Sequence, residues 1–385
     1  MIIVPKPYAA RDGATKRRQY EETNLNKYRS NFGQDRDRII ESNAFRKLQY
    51  KTQVFVNFHG DLYRTRLTHS LEVGQIARWI ASGLSLNKDL AEIISLAHDL
   101  GHPPFGHAGE DALNHKITEY DPLHVRFSHN AQAIKVVTHI ENRFVDHRGL
   151  NLCWDTLEGL AKHNGPFLDP KKMHPIISSY NQEFDLKITK QPSLEAQVSS
   201  LSDDIAYNNH DMEDGLKDRL FSIEDLLQID QINDIYQEIA SKYTNIKQEQ
   251  MIGEIKKILT SKMVIDLIEN SKIKLAQFDI NSLDSVRNFD EFLIEHSKEM
   301  KVTIRQIGNF LYKNMYMHDK VDQMRKKAGY VISILFDHYL EFPNQIPEQF
   351  KSSQQDLITS ICDYISGMTD RYAINEFNKI KNNDK

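Results

Sequence analysis

RLTHSLEVGQIARWIASGLSLNKDLAEIISLAHDLGHPPFGHAGE, residues 66–110, decides the fold. Val73, Ile76, Ala77 and Ile80 recur at i, i+3, i+4 and i+7, the spacing of one buried helix face. Leu90, Ile94 and Ala97 repeat the pattern in the next segment. Gly101, Pro103, Pro104 and Gly106 then stop the helix just beyond His98 and Asp99. Outward from this stretch the period stays helical. Ile252, Ile255, Ile258 and Leu259 carry it, as do Ile332, Leu335 and Phe336. The best candidate for a short strand is Gln53 to Phe58. Gly165 to Pro192, with four prolines, reads as a long loop or insertion, and the tail KIKNNDK as frayed. The fold class expected is all-α.

The same stretch carries the chemistry. His69 shares a helix face with Val73, Ile76 and Ile80 and so points inward. His98 lies one turn beyond Ile94 and does the same, beside Asp99. Burying a carboxylate next to an imidazole is costly unless something compensates it, and a divalent cation does so. Asp203, Tyr207 and Asp211 stand at i, i+4 and i+8 in LSDDIAYNNHDMEDGL and line one helix face. Asp203 is placed to close a metal site with His69, His98 and Asp99. Asp204, the competing ligand, lies about 100° round the helix. Tyr207 is placed to stack on or bond a sugar, and Asp211 to accept a sugar hydroxyl. After the double proline, His107 and Glu110 sit i, i+3 at a new helix start as an acid/base dyad. His129, in FSHNAQ, is a further candidate for handling the proton. Taken singly, each has a bland reading. An inward histidine is commonly a satisfied core residue, an acidic run commonly a solvated face, and His102 and His115 surface or supporting residues. The ordered set His, His-Asp, Asp, together with HPPFGH, favours a metal.

That set resembles the HD-domain phosphohydrolases. The blocks DRDRIIESNAFRKLQYKTQVF, HDLGHPPFGHAGE, GLNLCWDTLEGLAKHNGP, SLEAQVSSLSDDIAYNNHDMEDGL and DYISGMTDRYA narrow the resemblance to bacterial deoxyguanosinetriphosphate triphosphohydrolase-like proteins. It runs from about Asp35 to about Phe377. It implies an HD-domain metal-dependent phosphohydrolase fold with a helical C-terminal extension. An N-terminal segment 1–61 would contribute to the substrate site, an HD domain would span 62–212, and a helical region 213–385 would pack on it. It implies hydrolysis of dGTP and other dNTPs to deoxynucleoside and tripolyphosphate, with Mn2+ or Mg2+ on His69, His98, Asp99 and Asp203. By the same resemblance Arg66 contacts phosphate, His107 and Glu110 form the dyad, and His129 meets phosphate. Tyr207 and Asp211 serve the sugar. Gln53, with Val54, lies against the 3′-hydroxyl, and Tyr316 and His318 lie near base and phosphates; on charge alone, Lys313 is a candidate to supply positive charge to the triphosphate. Lys162 is a further candidate for phosphate charge. The chain departs from the family at Glu41, where members commonly carry His, and at Val125-Arg126, where they carry Gly-Gly.

The bulk properties bound the alternatives. The chain has 385 residues and net charge -5, so no global basic field advertises nucleic acid or membrane. No run of eighteen apolar residues occurs. The two cysteines, Cys153 and Cys362, make no CxxC motif, which suits a reducing cytoplasm. Two other readings compete with the dNTP enzyme. One is an HD phosphohydrolase for nucleoside monophosphates, cyclic nucleotides or guanosine polyphosphates. The other is a regulator binding dNTPs or single-stranded DNA, for which Arg11, Lys16, Arg17 and Arg18 offer some footing. The resemblance further implies a homo-oligomer, often a hexamer, with dNTP activation between subunits.

Overall fold

The structure, a computed structural model, describes residues 5–12, 18–20, 28–53, 64–169, 172–351 and 355–383. Among them are seventeen α-helices, and the only strand-like pairing is a bridge between Thr52 and Thr65. Of the expected strand only Gln53 is described, and Val54 to Phe58 lie outside the described residues.

Helix boundaries follow local chemistry. The Arg66–Gly83 helix begins at Thr65, whose side chain accepts from the Thr68 backbone while Thr68 bonds back to Thr65. The Lys88–Ala97 helix begins at Asn87, capped on Leu90 N–H. Its residues Leu90, Ala91, Ile93, Ile94, Leu96 and Ala97 are all buried, so it is enclosed nearly all round. It packs between Arg66–Gly83 and the long Leu194–Lys217 helix. Gly159 lets the Trp154–Ala161 helix close on it, since a Cβ there would meet Ile94 Cδ1 at 2.3 Å.

Three apolar clusters hold the molecule. One joins Val73, Ala77 and Ile80 to Val198 and Ile205 and to Leu259, Met263 and Leu267 of the 30-residue Gln248–Gln277 helix. A second surrounds Leu90, Ile94 and Leu157. The third ties Leu113 and Ile117 to Ile332, Leu335 and Phe336 of the Asp319–Glu341 helix and to Ile361 and Ile365. The C-terminal helices therefore brace the Gly106–Tyr120 helix from outside.

Two expectations are corrected, and the first is the tail: the last helix, Asp370–Asn383, runs into the stretch expected to fray. The stretch from Gly165 to Pro192 contains a helix, Pro175–Glu183. Pro175 occupies its first turn, where a missing N–H costs nothing, and His174 caps it. Prolines read as breakers there include a helix start. No helix of the described residues is long and apolar enough to cross a membrane. Both cysteines are buried, and among the described residues neither forms a disulfide.

Candidate active site and metal centre

The first histidine helix, the end of the second and the middle of Leu194–Lys217 converge. His69, His98 and Asp99 each offer a donor atom, all within 4.8 Å of one another, and all three side chains are buried. Asp203 adjoins them, with His69 Nε2 2.8 Å and His98 Nε2 3.6 Å from its Oδ1. The four expected ligands are thus brought together. His98 Nδ1 donates to Ser95 O at 2.6 Å, which leaves Nε2 as the lone-pair nitrogen. That Nε2 is buried with no hydrogen-bond partner. An unsatisfied imidazole nitrogen facing two carboxylates is what a divalent cation would fill, so the donor set fits one. Without a cation, burial depresses the His98 imidazole, but Asp99 and Asp203 outweigh it and raise its pKa to about 9. Burial also opposes the Asp99 charge, yet Arg66, His98 and His102 hold its pKa well below the ordinary value.

Two supporting histidines went unread in the sequence. His210 faces His69 through their Nδ1 atoms at 3.3 Å and meets Glu72 on its other side. His163 stacks on His98 with centroids 5.1 Å apart and lies 3.6 Å from Asp203 Oδ2. The one signal for either was helical register: His210 is one residue before Asp211, and Glu72 is three after His69. His163 follows the helix end and has no periodic signal.

Beside this group lies a second. Asp99 Oδ2 accepts from Arg66 Nη1 at 2.9 Å, and Asp99 Oδ1 lies 3.2 Å from His102 Nε2. His102 is buried and stacks on His129 at 3.8 Å. His129 Nδ1 bonds Glu110 Oε2 at 2.7 Å, and His129 N–H donates to Glu110 Oε1. His107 Nδ1 stands 3.6 Å from the same carboxylate and is two-thirds exposed. Glu110 is therefore shared, and its tighter partner is His129, thirty-one residues from the His-Asp pair. Burial works against its charge, but hydrogen bonds from His107 and His129 keep it ionised, far below the ordinary carboxylate range.

Backbone geometry makes the junction. Gly101 lets the loop touch the next helix, because a Cβ there would lie 2.1 Å from His129 O and 2.3 Å from Ala133 N. Phe105 takes a left-handed φ of 63° before the helix bearing His107 and Glu110. Asp370 pins this turn. Its Oδ1 accepts Phe105 N–H at 2.9 Å, and its Oδ2 accepts Thr52 N–H and the Thr52 hydroxyl. Lys51 Nζ is buried and donates to Ser366 O at 2.8 Å and to His102 O. The C-terminal helices thus hold both Gln53's neighbour Thr52 and the loop from His102 to Phe105.

Tyr207, Asp211 and Tyr316, expected near a sugar, lie together on one face. Tyr316 donates its hydroxyl to Asp211 Oδ2, and the Tyr207 and Tyr316 rings stack at 6.2 Å. Burial pushes the Asp211 carboxyl up to about 7. Among the described residues, Asp211 Oδ1 and Gln53 Oε1 are both buried without a hydrogen-bond partner.

Other candidates land elsewhere. Lys162 is buried and committed to Glu158 at 2.8 Å, so it is a structural cation rather than a free phosphate contact. Arg66 spends one nitrogen on Asp99, while its Nε is unpartnered. Lys313 is exposed, on the π-turn Tyr312–Tyr316, and His318 caps the following helix. Val125 and Arg126 are exposed, and His115 is exposed too. The Asp211 to Asp214 stretch is not a solvated face: Arg64 holds Glu213 and Asp214 at 2.9 Å each. Arg18 pairs with Asp35 at 2.8 Å, and Lys16 and Arg17 lie outside the described residues.

A helical scaffold presenting His, His-Asp and Asp to one point defines an HD-domain phosphohydrolase, a class that binds a divalent metal. Residues 66–208 match the HD domain, and residues 294–379 match the phosphohydrolase-associated domain. The chain is 43% identical over 382 residues to the deoxyguanosinetriphosphate triphosphohydrolase-like protein of Bartonella quintana, covering 97% of this chain and 94% of that one. It is 40% identical to the protein of the same description from Rickettsia rickettsii, covering 97% of each, and 41% identical to that of Roseobacter denitrificans, covering 96% and 95%. The chain belongs to the deoxyguanosinetriphosphate triphosphohydrolase-like family. A crystal structure of a hypothetical protein from Aquifex aeolicus aligns over 89% of this chain and 67% of that one, at 17% identity and TM-score 0.38.

Proposed function

We propose that the protein hydrolyses dGTP and other dNTPs to the deoxynucleoside and inorganic tripolyphosphate. One observation carries the reading: a continuous path of contacts, Asp99 to His102 to His129 to Glu110, joins a buried cation socket to an imidazole–carboxylate pair. A divalent cation, Mn2+ or Mg2+, held by His69, His98, Asp99 and Asp203 would polarise the α-phosphate. Glu110 holds His129 through Nδ1, so the opposite ring nitrogen is the one placed to move a proton. Water adds to the α-phosphorus, the bond to the 5′-oxygen breaks, and that oxygen takes a proton to become the nucleoside hydroxyl. The water oxygen remains on tripolyphosphate. The free guanidinium nitrogens of Arg66 bind phosphate oxygens, and exposed Lys313 adds charge at the rim. Asp211 Oδ1 and Gln53 Oε1, lacking partners, accept sugar hydroxyls, while Tyr207 and Tyr316 wall the ring.

The same reading carries over a cytoplasmic homo-oligomer, hexameric by resemblance, with an activating dNTP between subunits. Light scattering with and without dNTPs checks the assembly. The decisive assay is phosphorus NMR of the protein with each dNTP, alone and mixed, with Mn2+ or Mg2+. Tripolyphosphate is the expected product. Pyrophosphate or orthophosphate as the first product would move the protein to another HD chemistry.

A further inference from the structure

Arg287 has a buried guanidinium that makes no ion pair among the described residues. It ends a short helix, Leu283–Arg287, and is 5% exposed. Its Nε and Nη2 atoms are buried without any hydrogen-bond partner. The guanidinium carbon sits 4.6 Å from the centre of the Trp154 ring, whose π face offsets part of the charge. Arginine cannot shed its proton, so it cannot escape burial by becoming neutral. The nearby buried cation, Lys162, uses its one carboxylate, Glu158. Burial and, after the opposing pull of Glu158, the like charge of Arg287 leave the Lys162 pKa below its ordinary value.

Arg287 lines a cleft of about 490 Å³ that the metal centre does not share. That volume falls within the roughly 300–1,000 Å³ of small-molecule sites. The turn from Asp185 to Lys190 also lines the cleft and brings Lys187 and Lys190, both exposed. Lys187 takes a left-handed φ of 50°, an uncommon conformation for a side chain of this kind. Two carboxylates, Asp185 and Asp284, also line the cleft, and both are exposed. Three cations against two carboxylates make the cleft positive in a chain whose net charge is -5. Met173 and Ile188 supply an apolar patch beside this charge.

We propose that this cleft is a second ligand site, for a phosphorylated small molecule whose phosphate pairs with Arg287, Lys187 and Lys190 and whose body rests on Met173 and Ile188. A planar guanidinium with unpaired donors suits phosphate oxygens. The site is connected to the metal centre by one element. The Trp154–Ala161 helix starts at the ring that covers Arg287 and leads directly into His163, which contacts His98 and Asp203.

The chain has two tryptophans, so Trp79→Phe leaves Trp154 as the sole reporter. In that background the full-length protein is titrated with inorganic phosphate and with pyrophosphate, at ionic strength held constant with chloride. The expected result is a saturable change in Trp154 emission, with an apparent Kd weakened about tenfold or more by Arg287→Gln. Should Arg287→Gln lose its fold by circular dichroism, the surface double variant Lys187→Glu/Lys190→Glu decides, and it should weaken binding by a similar factor. A linear response, an equal response to chloride alone, or saturable binding that survives Lys187→Glu/Lys190→Glu unchanged would each overturn the proposal.

Discussion

His69, His98 and Asp99 form one group of donor atoms within 4.8 Å of one another, and His102, His107, Glu110 and His129 form a second by the same measure. The two are neighbours, yet they differ in what already satisfies them. In the first group all three side chains are buried, and His98 Nε2 has no partner. In the second, His107 is two-thirds exposed, and the Glu110 carboxylate is taken up by His129 at 2.7 Å. His102 and His129 also lie nearly parallel, 17° apart. A cation cannot lie in both ring planes at once, so that pair is poorly set to ligate together. Burial with an unmet lone pair makes a cation socket. Partial exposure with a met carboxylate suits the proton-handling role proposed for His129 and Glu110.

The largest expected effect separates the two groups outright. His98→Ala should remove bound metal, read by elemental analysis, and take turnover to the assay's floor. Glu110→Gln should leave metal content unchanged and lower kcat by about a hundredfold to ten-thousandfold, the range of a general acid or base. If Glu110→Gln lost metal as well, the two groups would be one site. Asp99→Ala carries an additional cost, since Arg66 would be left buried and unpaired. It should destabilise the metal-free protein by about 3–5 kcal/mol in a denaturant titration.

A smaller effect sharpens that proton-handling role. His129 lies 2.7 Å from Glu110 and His107 3.6 Å. His129→Ala should therefore lower kcat more than His107→Ala does. Equal losses would restore the His107–Glu110 pairing that sequence spacing suggests. Next comes Gly101→Ala, whose Cβ would press on His129 O and Ala133 N. Both atoms are backbone and cannot rotate aside, so the cost should reach or exceed the upper end of the roughly 1–3 kcal/mol typical of overpacking. The loss should appear in thermal melts, along with a fall in kcat as His129 moves from His102.

What was legible in the sequence follows from what periodicity can carry. The helical repeat placed His69 and His98 inward and put Asp203, Tyr207 and Asp211 on one face, and the structure agrees. Contacts between segments distant in sequence were not legible. The i, i+3 rule paired Glu110 with His107, whereas the closest imidazole comes from another helix brought in at Gly101. Asp370 is 265 residues from Phe105, whose backbone it holds, and no local pattern marks that. Lys162 looked like a phosphate contact because charge alone cannot say that Glu158, one turn earlier, already holds it.

A last effect concerns a third carboxylate, outside both groups. Burial raises Asp211 from an ordinary 3.8 to about 7, against the opposing hydrogen bond from Tyr316. Between those values the folded protein holds a proton that the unfolded chain has released. The slope of unfolding free energy with pH follows the protons bound by the unfolded state minus those bound by the folded one, and here that difference is negative. Stability should therefore fall as pH rises from about 4 to 7, by no more than about 1.4 kcal/mol per unit, and then level off. Asp211→Asn keeps an acceptor for Tyr316 without the charge. It should flatten the slope and gain stability relative to the parent at pH 8 rather than at pH 4, as measured by urea midpoints across that range. An unchanged slope would mean that Asp211 is ionised throughout, held by a cation or solvent, and would place it with the charged carboxylates of the first group rather than with a neutral sugar face.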